Sequence, residues 1–168
     1  MKDYQKFRIE VFLSPELDPK GKGYNVNQAI IAVGSGGIVG KGLGNGLQSK
    51  LNFLPERQTD FIFATTAEEV GLLGSSIILA LYLVILYRIR VIAINAKDNL
   101  GYYIAYGSFF MIFAQTAINI GMNIGVMPVT GIPLPLFSYG GSALITNLIT
   151  LGIVQNIALE SKLGKYSL

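Results

Sequence analysis

The chain has 168 residues, of which 51% are hydrophobic and only 14% charged, with a mean hydropathy of +0.50; this is too apolar and too charge-poor for an ordinary soluble domain, so an integral membrane protein is predicted. Cysteine and histidine are both absent, which excludes disulfides, thiolate chemistry and the usual imidazole base or metal ligand, and leaves any acid–base role to Asp, Glu, Lys or Tyr. The net charge of +3 is small and dispersed, and no basic run is interleaved with aromatics, which argues against a nucleic-acid partner.

Residues 1–69 are of mixed character, and the first residues do not read as a signal peptide. Pro15, Pro19, Gly21 and Gly23 mark turns. The apolar but glycine-interrupted stretch 25–39 suits an interfacial or re-entrant helix better than a membrane span. Gly40 to Gly46 reads as a flexible loop around one cation, Lys41. Its glycines complete neither a Walker motif nor a dinucleotide-binding spacing, so they are expected to form turns rather than cradle a nucleotide.

The segment Phe53 to Phe63 is where charge and backbone punctuation meet the apolar half of the chain. Pro55 breaks the chain, Glu56 and Arg57 offer a local ion pair, and Thr59 or Asp60 is placed to cap a helix continuing through Phe61-Ile62-Phe63-Ala64. The uncharged run Val70–Tyr87 would be about 27 Å long as a helix and forms the first predicted span. Thr65-x-x-Glu68 and Thr66-x-x-Glu69 precede it as possible capping boxes, and Arg88 and Arg90 close it.

A second span is predicted over 100–126, with Tyr102, Tyr103 and Tyr106 at one end as an aromatic belt. Gln115, Asn119 and Asn123 recur every fourth residue and share a face that should look into a helical bundle, either for inter-helix packing or for ligand binding. The third span is predicted over 142–159, punctuated by Thr146, Asn147, Thr150 and Asn156. Between these spans, Met127 to Gly141 carries three prolines and three glycines after Met127 and cannot be a regular helix; it is expected to fold back into the bundle beside a site, since bare backbone at membrane depth must be satisfied by protein or a wet cavity.

Arg88, Arg90, Lys97, Lys162 and Lys165 put the loop between the first two spans and the C-terminus in the cytoplasm, leaving the charge-balanced residues 1–69 outside. Such a segment needs a preceding span to cross the membrane, so the sequence is expected to be the tail of a longer protein. The polar faces of the second and third spans point the same way.

Each candidate has two readings at this stage. Asp60 is either a carboxylate stabilising a helix N-terminus, worth about 0.5–2 kcal/mol, or a catalytic group, and Glu68 and Glu69 share that choice at the next helix start. A paired-carboxylate hydrolase is disfavoured because Asp60 and Glu68 on one unbroken helix would sit about 12 Å apart; a break between them would reopen it. Lys41 and Arg57 are either solvated loop cations or ligands for an anionic headgroup or diphosphate.

A resemblance extends this reading. Phe53-Leu-Pro-Glu-Arg-Gln-Thr-Asp-Phe-Ile-Phe-Ala64, Ala67-Glu-Glu-Val-Gly71, Gly34-Ser-Gly-Gly37, Gly40-Lys-Gly42 and Gly131-Ile-Pro-Leu-Pro-Leu-Phe-Ser-Tyr-Gly-Gly141 together resemble the SEDS family (shape, elongation, division, sporulation), and Ser14-Pro-Glu-Leu-Asp18 suggests its elongation branch. The resemblance implies an all-α polytopic membrane protein of about ten helices, of which this chain would supply the large extracytoplasmic loop (1–69) and the last three transmembrane helices with a re-entrant loop (70–168). It implies a bacterial cytoplasmic-membrane enzyme that polymerises lipid II, the undecaprenyl-diphosphate-linked disaccharide peptide, into glycan strands beside a class B penicillin-binding protein transpeptidase. The family's aspartate falls on Asp60, in the role of general base for an inverting transfer. Lys41, Arg57 or a divalent cation such as Mg2+ would balance the leaving diphosphate, without an organic cofactor. Glu56, Thr59, Glu68, Glu69 and Ser138 would shape the substrate site. Alternatives are a flippase for lipid-linked precursors and a non-catalytic scaffold for the transpeptidase. Residues 1–168 alone are expected not to polymerise lipid II.

Overall fold

The computed structural model describes residues 8, 10–12, 14, 18, 21–46 and 58–163. The elements among them are α1 (Lys22–Ser35), α2 (Ile62–Ile94), α3 (Asn99–Asn123) and α4 (Gly141–Leu163), with no strand among the described residues. Helix α1 would be about 21 Å long, too short to cross a bilayer. It buries Val26, Ala29 and Ala32 at three-residue spacing, and the small alanines let it pack closely on Phe61 and Ala64 at the start of α2.

Helix α2 is broken. Gly71 sits at φ +66°, ψ −165°, far from helical values. Phe63 and Tyr82, which would lie about 28 Å apart on a continuous helix, share one buried cluster with Leu134. The chain therefore turns back at Gly71, laying a short first arm (62–70) along the upper part of a long second arm (72–94). That second arm alone is about 34 Å long, enough for the hydrocarbon core.

Helices α2, α3 and α4 are each long and apolar enough to span a membrane. They meet through Leu86, Ile89, Ile112 and Val154, and further along through Ala93, Ala105 and Ile157. Their other faces expose Leu81, Leu83, Val84, Phe110, Leu148 and Ile149, as expected where the solvent is lipid or further apolar helices. The hydroxyls of Thr146 and Thr150 return to the carbonyls of Ser142 and Thr146 at 2.9 Å, so they add no unsatisfied donor to that face.

Several local expectations are corrected. Neither Thr59 nor Asp60 is an N-cap: that position falls to Phe61, which makes no side-chain cap bond. Thr65 and Thr66 lie inside the helix rather than opening one, and Thr66 Oγ1 donates to Ile62 O at 2.8 Å. Arg88 and Arg90 do not end the first span, because both are exposed near the helix end, where long cationic side chains reach water without breaking the backbone. Helix α3 instead stops before its predicted end at 126, where Val126 N and Met127 N turn back to Gly121 O at 2.8 and 3.1 Å. The glycine loop after α1 is docked: Lys41 N and Gly42 N donate to Glu68 O and Glu69 O at 3.1 and 3.0 Å, and Leu72 N and Leu73 N donate to Gly37 O and Ile38 O at 2.9 and 3.1 Å. The carbonyls and amides freed by the break in α2 are what this loop satisfies.

Candidate functional site

Asp60 lies in the turn 58–61 ahead of α2, and its backbone is held from two directions. From α3, Asn119 Nδ2 and Asn123 Nδ2 donate to Asp60 O at 3.1 and 3.0 Å. From the proline loop, Ser138 Oγ donates to Thr59 O at 2.7 Å and Tyr139 N donates to Gln58 O at 2.8 Å. Three successive carbonyls are thus fixed by groups distant in sequence. A Cβ on Gly131 would come within 3.4 Å of Asp60 Oδ2, so the bare glycine backbone borders the carboxylate.

The proline loop is built to reach this turn. Pro133 and Pro135 prevent helix, Ser138 Oγ accepts from Leu134 N at 2.8 Å, and Ser138 N returns to Leu134 O at 3.0 Å, closing a compact bend. Leu134 and Pro135 are buried, and Tyr82 OH donates to Pro135 O, tying the bend to the second arm of α2. Asn119 Nδ2 also donates to Ile132 O at 2.8 Å, so one amide joins the Asp60 turn to this loop.

The second cluster surrounds the break. Glu68 is fully buried, and Lys41 Nζ lies 2.8 Å from its Oε1 while donating to Ser35 Oγ at 2.7 Å. Burial of a carboxylate is tolerated because the ammonium accompanies it. This pair fastens the glycine loop to the first arm of α2, and Glu68 is not an open second carboxylate for Asp60. The break in α2 lies beyond Glu68, not between it and Asp60, so it does not restore a paired-carboxylate site.

Of the residues singled out in sequence, Thr59, Asp60 and Ser138 come together, Thr59 through its carbonyl. Lys41 and Glu68 form the separate pair, and Glu69 contributes its carbonyl to the glycine loop. Glu56 and Arg57 lie outside the described residues. The polar stripe on α3 divides: Asn119 and Asn123 are buried in the Asp60 site, whereas the buried Gln115 Oε1 one turn below has no hydrogen-bond partner among the described residues. Sequence reasoning missed Arg8, whose Nη1 donates to Thr130 O at 3.1 Å, one residue from Gly131. A contact across that sequence distance leaves no local signal.

A discontinuous helix and a non-helical proline loop, packed among helices long and apolar enough to cross a membrane, define a polytopic helical membrane protein. The FtsW/RodA/SpoVE family profile, described as cell cycle protein, matches residues 1–163, and the chain belongs to that family. It is 50% identical over 163 residues to peptidoglycan glycosyltransferase MrdB of Escherichia coli K12, covering 97% of this chain and 44% of that protein. It is 43% identical over 157 residues to peptidoglycan glycosyltransferase RodA of Treponema pallidum, covering 94% of this chain and 36% of the relative. The chain therefore spans less than half the length of these curated relatives. Among solved structures it is similar to a chain of a peptidoglycan synthase complex described as coordinating polymerization and crosslinking, with a TM-score of 0.74, 34% identity and coverage of 96% of this chain and 43% of that one. It is also similar to an aspartate-to-alanine mutant of the Thermus thermophilus rod shape determining protein RodA, with a TM-score of 0.58, 38% identity and coverage of 73% and 37%.

Proposed function

We propose that this chain carries the catalytic carboxylate of a peptidoglycan glycosyltransferase that polymerises lipid II during cell elongation and releases undecaprenyl diphosphate. The observation that carries this reading is the rigid presentation of Asp60, with its backbone clamped from α3 and the proline loop and its carboxylate against Gly131. A base is useful only when held within hydrogen-bond reach of the proton it takes. Asp60 accepts the proton of the acceptor sugar's 4-hydroxyl as that oxygen attacks the donor's anomeric carbon; the new glycosidic bond forms with inversion while the bond to the diphosphate breaks. The names of the relatives above support the activity.

Lys41 and Arg57 are the cations proposed for the diphosphate, Lys41 retaining 29% side-chain exposure despite its pairing with Glu68. Among the described residues no three acidic groups converge, and Glu68 is paired with Lys41. An ion such as Mg2+ is proposed to arrive with the diphosphate of the substrate. The proposed partner is a class B penicillin-binding protein, supported by the similarity to a synthase complex that couples polymerization to crosslinking. The proposed location is the bacterial cytoplasmic membrane, with residues 1–69 extracytoplasmic and the C-terminus inside, supported by Arg88, Arg90 and Lys97 around the turn between α2 and α3.

The test is reconstitution of the native-length protein with labelled lipid II, comparing wild type with Asp60→Asn and scoring glycan polymer, lipid scrambling and transpeptidase binding separately. Loss of polymer with the other two retained is expected. Full polymer from a correctly folded Asp60→Asn protein would reject the base, and loss of scrambling alone would favour a flippase.

A further inference from the structure

We infer that Asn123 and Asn119 are positioning residues for Asp60: from a neighbouring helix both hold its backbone carbonyl, and Asn123 also binds a first-turn N–H of the helix that follows it. This rests on the reading of Asp60 as the base. The first turn of any helix presents backbone N–H groups without intrahelical partners, and an aspartate just ahead of it is normally drawn into bonding them. Here Ala64 N, in that first turn, donates to Asn123 Oδ1 at 3.0 Å, and the bond is buried. The orientation of the amide follows from its surroundings, since Ala64 N–H requires an acceptor while the other end faces carbonyls.

The remaining hydrogens complete the arrangement. Asn123 Nδ2 donates to Asp60 O at 3.0 Å and to its own helix at Asn119 O at 2.8 Å. Asn119 Nδ2 spends both its protons on Asp60 O at 3.1 Å and Ile132 O at 2.8 Å. Both lone pairs of Asp60 O are thereby used, fixing the peptide plane on the carboxyl side of Asp60. Both asparagines are fully buried, so water does not substitute for either side chain at low cost. The pair acts on Asp60 through its backbone and through the helix that follows it, without touching the reacting atoms.

The two duties of Asn123 are separable. Asn123→Asp keeps an acceptor for Ala64 N–H but loses the donor to Asp60 O; Asn123→Ser supplies one small group able both to accept and to donate. In the native-length protein with labelled lipid II, Asn123→Asp and Asn119→Ala are expected to remain folded and monodisperse while kcat falls about tenfold or more, with KM within about twofold, because an orientation defect is felt in the transition state. Asn123→Ser is expected to recover most of the loss. Asp60→Asn runs alongside: its inactivity upholds the base, and if Asn123→Asp and Asn119→Ala then show wild-type kcat, or lose activity only through KM, the positioning role is overturned while the base stands. If Asn119→Ala does not fold, the Asn123→Asp and Asn123→Ser pair decides alone. An active Asp60→Asn protein instead removes the base itself.

Discussion

Lys41 Nζ and Glu68 Oε1 are 2.8 Å apart, and the carboxylate of that pair is wholly inside the protein while the ammonium keeps partial access to the surface. Removing either side chain takes this close opposite charge from the other. Lys41→Met is therefore expected to destabilise the fold by about 3 kcal/mol, at the lower end for a broken buried pair because Lys41 is partly solvated. Adding Glu68→Gln should recover most of that loss. Thermal unfolding in detergent measures both. If Lys41→Met leaves the melting temperature unchanged but raises KM for lipid II, its cation serves substrate rather than fold.

Gly71 has no room for a side chain: a Cβ there would lie 2.3 Å from Gly40 N, and its φ of +66° is unfavourable for other residues. Gly71→Ala is expected to abolish the folded protein, seen as lost monodisperse material in size-exclusion chromatography. Gly107 is an internal control, since a Cβ there meets nothing within 4 Å, and Gly107→Ala should express normally.

Ser138 uses one hydroxyl to accept from Leu134 N and donate to Thr59 O. Ser138→Ala leaves both groups without that partner, at an expected cost of about 1–3 kcal/mol. Because it loosens the proline loop from the Asp60 turn, kcat should fall as well, and Ser138→Thr should preserve more of it than Ser138→Ala. Equal turnover in all three proteins would contradict this coupling.

Arg8 reaches Thr130 O beside the glycine that borders Asp60. Arg8→Gln is expected to slow polymerisation several-fold, with Arg8→Lys a poor replacement because an ammonium cannot reproduce a guanidinium's planar set of donors. Steady-state turnover of labelled lipid II by the native-length variants checks this.

The apolar spans were legible because so long a run without charge suits a bilayer and little else, and the proline loop was legible because Pro133 and Pro135 forbid a regular helix. The reversal at Gly71 was not: Ala67-Glu-Glu-Val-Gly71 continues smoothly into Leu72-Leu73, and one glycine in an apolar helix is usually tolerated. Asp60 was visible as a candidate, but its local pattern suggested a cap. What displaced that reading is Asn123 Oδ1 at Ala64 N, supplied from another helix. The four-residue spacing of Asn119 and Asn123 revealed their shared face, not the carbonyl they meet.

The fastening of the 58–60 turn sets an order of events in biosynthesis. Its anchors are made 59, 63 and 79 residues later than the carbonyls they hold, at Asn119, Asn123 and Ser138. A chain emerging from the ribosome therefore carries Asp60 well before it possesses the means to aim it. The 58–60 turn therefore acquires its fixed backbone only after α3 has been made and the proline loop has returned to it.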